Sequence, residues 1–347
     1  MNTQLDRKWD VIHGIISEAQ QIVLTTHVNP DGDGVGSQVA FYHYLLGQQK
    51  ECRILNPSSL SHEYEFLSEN VKFEIYDSLI HSSWVMNADL AIIFDVGDYS
   101  RLNQLGKDLK LMNTPTLSFD HHPHPIPNGF TYFIHDISAS ATGVLVYNYL
   151  KYAMPSSEYN KVFTRDVVKG LYTALMTDTG SFRFNNTNAE AHKMAGELIA
   201  LGVNPYEIYQ NVYESGSIKR IRLLASALAT VQLDCNGKLA WFVITKKMVK
   251  SSHATYDEIS GFSDYVRTIH GVEVVLMINE VGSNQCRVNY RSKGKVRIGD
   301  LARELGGGGH DFAAGATVEL PLDQAVEYVV SKTVRVIKSQ ISNGSLK

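Results

Sequence analysis

The stretch Gln21-Ile22-Val23-Leu24-Thr25-Thr26-His27-Val28-Asn29-Pro30-Asp31-Gly32-Asp33-Gly34-Val35 decides the fold. Its apolar opening, Ile22 to Leu24, runs into a polar loop, and apolar residues then recur with helical spacing at Val35, Val39, Tyr42, Leu45 and Leu46. Strand, loop and amphipathic helix make the first half of a βαβ unit. In open α/β sheets ligands gather where strands end, and this loop holds His27, Asp31 and Asp33, with Gly32 and Gly34 allowing a tight backbone. Taken alone, the loop also admits an ordinary reading, in which the two aspartates cap the helix and His27 is simply packed or solvated.

Two further apolar runs end the same way. Residues 91–94 lead into Asp95, and residues 116–119 lead into Asp120-His121-His122. A fourth loop, Thr177-Asp178-Thr179-Gly180, follows an apolar helical pattern and places Asp178 just past a helix C-terminus. An acid is disfavoured there by the partial negative charge of the last carbonyls, and a bound cation would reverse that penalty. Independent caps would rarely coincide at the ends of three strands and one helix.

Helical periodicity dominates residues 141–150, 164–176, 189–201 and 218–228, and the texture changes at residues 231–244, where Asn236-Gly237 is a hairpin signal. Strands over 272–279 and 286–290, a helix over 297–305, a glycine-rich turn and a closing helix from Leu322 follow. The expected fold is therefore α/β: a mostly parallel sheet flanked by helices over residues 1–229, then a smaller α+β domain over residues 230–347. The active site is expected in the cleft between them.

A chain of 347 residues exceeds what one core usually supports, which agrees with two domains. Its net charge of -4 argues against coating long nucleic acid, leaving short or small anionic substrates. Cys52, Cys235 and Cys286 are odd in number, far apart and without metal-binding spacing, so neither a disulfide framework nor a structural zinc site is expected. The first twenty residues are broken by charges and read as an amphipathic helix rather than a signal peptide, and no apolar run reaches the roughly 18 residues of a membrane span. These features together predict a cytoplasmic protein with no membrane partner; a homodimer is compatible with the sequence.

The set His27-x3-Asp31-x-Asp33, Asp95, Asp120-His121-His122 and Asp178 resembles the DHH phosphoesterases. Arg291-Ser292, Gly306-Gly307-Gly308-Gly309-His310 and Ala313-Ala314-Gly315 resemble the C-terminal domain associated with one branch of that family. The resemblance spans nearly the whole chain in the expected order. It implies two Mn²⁺ ions, with His27 and Asp31 on one, Asp33, His121 and Asp178 on the other, and Asp95 bridging both. Oxygen and nitrogen donors without thiolate suit Mn²⁺ or Mg²⁺, and the imidazoles favour Mn²⁺. A carboxylate shared by two ions suits in-line displacement at phosphorus.

The resemblance also gives catalytic roles to Asp95, Asp120 and His122: Asp120 orients an imidazole, and His122 bonds the phosphate or the leaving oxygen. It gives substrate binding to Arg291, Ser292, Gly307, Gly308, Gly309 and His310. The residues themselves leave a plainer reading of the glycine run as a flexible turn, and of the basic stretch Arg287, Arg291, Lys293, Lys295, Arg297 and Arg303 as a solvated face. The implied activity is hydrolysis of short oligoribonucleotides to nucleoside 5'-monophosphates, with 3'-phosphoadenosine-5'-phosphate as a second substrate. Exopolyphosphatase or pyrophosphatase chemistry, cyclic-dinucleotide hydrolysis and a non-catalytic nucleotide-binding regulatory module are the alternatives. His124 reads as a surface loop residue, Ser140 as a helix cap or a residue near the site, and Phe182-Arg183-Phe184 as a half-buried strand or a base-stacking element.

Overall fold

The computed structural model describes residues 3–122 and 129–344; His124 lies outside them, as do the side chains of residues 3–7, 310 and 342–344. The first compact unit covers residues 1–215 and the second residues 216–347. The first contains α1 (Thr3–Glu18), β1 (Gln21–Thr25), α2 (Gly32–Gly47), β2 (Glu51–Asn56), β3 (Phe73–Ile75), α3 (Ser78–Asn87), β4 (Leu90–Phe94) and α4 (Asn103–Leu111). It continues with β5 (Thr116–Asp120), β6 (Tyr132–His135), α5 (Thr142–Ala153), α6 (Tyr159–Val162), α7 (Arg165–Asp178), α8 (Ala189–Ala200) and α9 (Pro205–Tyr213).

The sheet order is β3-β2-β1-β4-β5-β6, and every neighbouring pair is parallel. From β1 the chain steps to one edge, and from β4 to the other. The C-terminal ends of β1 and β4 therefore flank the switch point where α/β sheets open a crevice. The strands at this point are rich in Ile, Val, Leu and Phe because helices cover both faces; β4 is buried throughout. On one face Phe41, Phe94, Phe119 and Tyr149 form a ring cluster with Trp9 of α1, fixing the first helix against the sheet.

Two glycines set the spacing of the helices that carry the site. A Cβ on Gly36 of α2 would meet the Gly170 carbonyl of α7 at 2.3 Å, and one on Gly170 would meet the Gly36 carbonyl at 2.6 Å. The backbones are in contact, which holds the N-terminus of α2 beside the C-terminus of α7.

The second unit contains α10 (Ile218–Leu228), β7 (Gln232–Asp234), β8 (Leu239–Ile244), α11 (Lys246–Ser252), α12 (Phe262–Arg267), β9 (Val274–Gly282), β10 (Gln285–Ser292), α13 (Gly299–Glu304), β11 (Gly308–His310), β12 (Ala313–Val318) and α14 (Leu322–Gly344). Its sheet order is β11-β12-β10-β9-β8-β7, antiparallel except for β8 with β9. Leu223, Leu224 and Ala227 of α10 pack with Phe242, Ile244 and Phe262 within the second unit, which begins at Gly216. Asn236 and Gly237 both adopt positive φ between β7 and β8, as the Asn-Gly signal requires.

The glycine run is not a free turn. Gly308 to His310 form an edge strand paired with β12, and a Cβ on Gly307 would lie 2.0 Å from the Gly315 carbonyl. No described helix is long and apolar enough to cross a membrane.

Candidate metal centre

His27 and Asp31 come from the loop after β1, Asp33 from the first turn of α2, Asp95 from the end of β4, His121 and His122 from the end of β5, and Asp178 from the last residue of α7. All lie in the first unit. The donor atoms of His27, Asp31 and Asp95 lie within 4.8 Å of one another, as do those of Asp33, His121 and Asp178. Asp95, His121 and His122 form a third such group. Asp95 connects them: its Oδ2 is 3.5 Å from His27 Nε2, while its Oδ1 is 3.6 Å from His121 Nε2 and 3.4 Å from His122 Nδ1. Asp178 terminates α7 rather than following it, so its carboxylate still sits at the negative end of the helix dipole.

Each donor is held from behind. Asp31 caps α2, its Oδ1 accepting from Asp33 N at 3.1 Å and Gly34 N at 3.2 Å. Asp33 is 1% exposed, and its two oxygens accept from Thr142 N at 2.6 Å and Gly143 N at 2.8 Å, amides of the first turn of α5 that have no partner within the helix. His27 Nδ1 lies 2.9 Å from the Val28 carbonyl and His121 Nδ1 lies 3.0 Å from the Ala139 carbonyl. Both bonds place the proton on Nδ1, which leaves the Nε2 lone pair among the carboxylates, the tautomer a metal requires. Asp95 sits at φ +62°, a left-handed conformation that costs an ordinary residue about 1–3 kcal/mol and clusters at functional sites.

The electrostatics are those of a site built for positive charge. Burial, reinforced by Asp95, Asp178 and Asp31, pushes the Asp33 carboxyl well above the ordinary carboxylate range. Burial likewise raises Asp178 to about 7, with His121 opposing it. Burial would also raise Asp95, but His122, His27 and His121 hold it well below its usual value. His27 would be lowered by burial, yet the Asp31 and Asp95 carboxylates lift it to about 10. The same opposition, burial against Asp95 and Asp120, lifts His122 to about 9. Four carboxylates crowded together, with Asp33 and Asp95 buried, cannot all ionise without nearby cations. Divalent ions would supply them, and the oxygen and nitrogen donor set, free of thiolate, fits Mn²⁺ or Mg²⁺.

Asp120 is set back from the cluster: its Oδ1 pairs with His122 Nδ1 at 2.7 Å and its Oδ2 accepts from His122 N at 3.3 Å. His135 braces the same turn, with Nε2 2.7 Å from the His122 carbonyl. Sequence reading missed Thr142, Gly143 and Asn186. The Asn186 amide donates to Asp178 Oδ2 at 2.9 Å, and Thr142 Oγ1 donates to Asp95 Oδ1 at 3.0 Å. A small-residue stretch before a helix was the signal for the first two; Asn186 left none.

Ser140 does not cap α5, whose first turn has no side-chain cap; its hydroxyl donates to the Asn186 carbonyl at 2.6 Å. Phe182-Arg183-Phe184 is a turn and not a strand, and Phe182 packs on Tyr172 and His192.

The substrate-binding candidates are in the second unit. Arg291, half-buried on β10, faces away from the core that takes Tyr290 and Val288, and its Nη1 donates to the Tyr290 carbonyl at 3.2 Å. Ser292 is buried, its hydroxyl donating to Glu273 at 3.2 Å and accepting from Gly294 N at 3.3 Å, so that hydroxyl is engaged inside the unit. Gly307 and Gly309 are needed by the close backbone of β12, whereas a Cβ on Gly308 would meet nothing within 4 Å. Of the basic stretch, Arg297 pairs with Asp311 at 2.7 Å and Arg303 with Asp300 at 2.6 Å.

Residues 21–175 match the DHH family N-terminal domain and residues 240–339 match the DHHA1 domain. A bifunctional oligoribonuclease and PAP phosphatase, NrnA, of Bacillus subtilis (strain 168) is 30% identical over 87% of this chain and 91% of its own length. The chain belongs to the DHH family. As a DHH phosphoesterase it is a hydrolytic enzyme. The protein of the same description from Thermus thermophilus is 30% identical over 89% of this chain and 88% of its own. An exopolyphosphatase-related protein from Bacteroides fragilis has the same fold, with a TM-score of 0.88 at 24% identity over 95% of this chain and 96% of that one. The DHH fold extends to RecJ of Thermus thermophilus, solved in complex with Mn²⁺, at a TM-score of 0.53 and 12% identity over 95% of this chain and 54% of RecJ.

Proposed function

We propose that this DHH enzyme is a Mn²⁺-dependent phosphoesterase that hydrolyses short oligoribonucleotides to nucleoside 5'-monophosphates, and 3'-phosphoadenosine-5'-phosphate to AMP. The observation that carries the reading is Asp95, whose two oxygens face separate donor groups, His27 with Asp31 and Asp33 with His121 and Asp178. The substrate class is supported by the NrnA relatives, which match this chain over most of both lengths.

Bound divalent ions would activate water and neutralise charge at phosphorus. His27, Asp31, Asp33, Asp95, His121 and Asp178 would hold them. Asp120 fixes the His122 ring through Nδ1, and Nε2, across the ring, is the atom that would donate a hydrogen bond to a phosphoryl or leaving oxygen. The Asp33 carboxylate is oriented by two backbone amides, one to each oxygen. Arg291 would grip a substrate phosphate through its guanidinium fork, and Gly308, whose α-carbon faces open space, would let a phosphate approach backbone amides.

The test is turnover by purified protein with Mn²⁺ on RNA dinucleotides, longer RNA, 3'-phosphoadenosine-5'-phosphate, pyrophosphate and polyphosphate, with Asp95→Asn as control. Release of 5'-monophosphates from the shortest RNA, lost in Asp95→Asn, is expected. Turnover of pyrophosphate or polyphosphate alone would replace the substrate assignment, and no turnover of any member would sink the enzyme reading.

A further inference from the structure

We infer that Thr142 and Asn186 are positioning residues that set the carboxylate orientations of Asp95 and Asp178 through one strap of backbone, residues 139–143. The strap reaches four of the six candidate ligands. Its Ala139 carbonyl takes His121 Nδ1, its Thr142 and Gly143 amides take Asp33, and the Thr142 hydroxyl, fully buried, takes Asp95 Oδ1 at 3.0 Å. Asn186 extends it to the fourth. Its Nδ2 lies 3.0 Å from the Ser140 carbonyl, 2.9 Å from Asp178 Oδ2 and 3.1 Å from the Asp178 carbonyl, while Ser140 Oγ donates back to the Asn186 carbonyl. All three atoms near Nδ2 are acceptors, so only the amide's NH₂ end can face them, and its orientation follows from chemistry.

The two contacts differ in reach. Asp178 shares one donor group, with Asp33 and His121, whereas Asp95 shares one with His27 and Asp31 and another with His121 and His122. If each ligand group holds its own ion, Thr142 acts on both ions and Asn186 on one. Groups that hydrogen-bond a metal ligand from behind commonly contribute about 10- to 100-fold in metal affinity.

The inference rests on the two-ion reading above and is tested by calorimetric titration of Mn²⁺ into metal-stripped protein. Thr142→Val preserves the branched shape and deletes the donor; Thr142→Ser restores the donor; Asn186→Leu preserves bulk without the amide. Thr142→Val is expected to weaken both binding events by about 10- to 100-fold, Thr142→Ser to bind like the parent, and Asn186→Leu to weaken one event and spare the other. The melting temperature of each metal-free variant reports its folding, and should Thr142→Val not fold, the single-event loss in Asn186→Leu decides. Equal losses in Thr142→Val and Thr142→Ser, or parental affinities in Thr142→Val and Asn186→Leu, would overturn the inference while leaving the two-ion reading intact. A parent protein that takes up no Mn²⁺ would overturn both.

Discussion

Replacing Gly36 by Ala tests the claim that backbone contact between α2 and α7 sets the geometry of the site. Helix propensity alone favours the substitution by about 1 kcal/mol, because glycine in a helix interior has more conformational freedom to lose. Packing opposes it. The new Cβ would lie 2.3 Å from the Gly170 carbonyl and 2.9 Å from Ala174 N, and ordinary carbon–oxygen contacts begin near about 3.3 Å. Both obstacles are backbone atoms, so no rotamer change relieves them, and the helices must part by about 1 Å. Overpacking of this kind costs about 1–3 kcal/mol; less the propensity gain, up to about 2 kcal/mol remains, which lowers the melting temperature of a unit this size by up to roughly 8 °C. Because Asp31 caps α2, Asp33 lies in its first turn and α7 carries Asp178, the same displacement should weaken Mn²⁺ binding. Gly196→Ala in α8 is the control: nothing lies within 4 Å of its new Cβ, so it should gain up to about 1 kcal/mol. The assay is thermal unfolding with and without Mn²⁺. A Gly36→Ala protein as stable as Gly196→Ala, with parental metal affinity, would refute the reasoning.

The carboxylate cluster predicts that Mn²⁺ at a hundred times its dissociation constant adds about 2.7 kcal/mol of stability per site, reversible by chelator; a melting temperature indifferent to Mn²⁺ would contradict it. Gly307→Ala should destabilise the second unit by forcing β11 off β12, while Gly308→Ala should leave melting unchanged and raise KM for oligoribonucleotides; an unchanged KM would remove Gly308 from the substrate path. Glu74 pairs with Arg53 at 2.7 Å and Lys72 at 2.9 Å, and the Arg53 hydrogen bond leads in holding its carboxyl down at about 2. Its folded value lies below its unfolded one, so its contribution is present above the ordinary glutamate range and is lost as pH falls toward about 2. The stability gap between parent and Glu74→Gln should therefore shrink over that window, and a constant gap would count against the pairing.

The loop after β1 was legible because strand, polar loop and helix follow one another within 27 residues, from Gln21 to Gly47, and the strand-end aspartates and histidines could be read from position alone. The strands β2, β3 and β6 carried too little apolar pattern to stand out. The partners of α10 were not legible, because it looks like any amphipathic helix until Leu223 and Leu224 are seen packing on Phe242. The glycine run deceived in a different way: Gly307 and Gly309 exist for a neighbouring backbone that is remote in local pattern. Asn186, an ordinary turn residue in sequence, acquires meaning only from Asp178 beside it.

The shared position of Asp95 is the centre of the account, and electron paramagnetic resonance of the Mn²⁺-loaded protein tests it most directly. Two Mn²⁺ per chain forming one magnetically coupled pair are predicted, with the coupling lost in Asp95→Asn. One ion per chain, or two uncoupled ions in the parent, would contradict it.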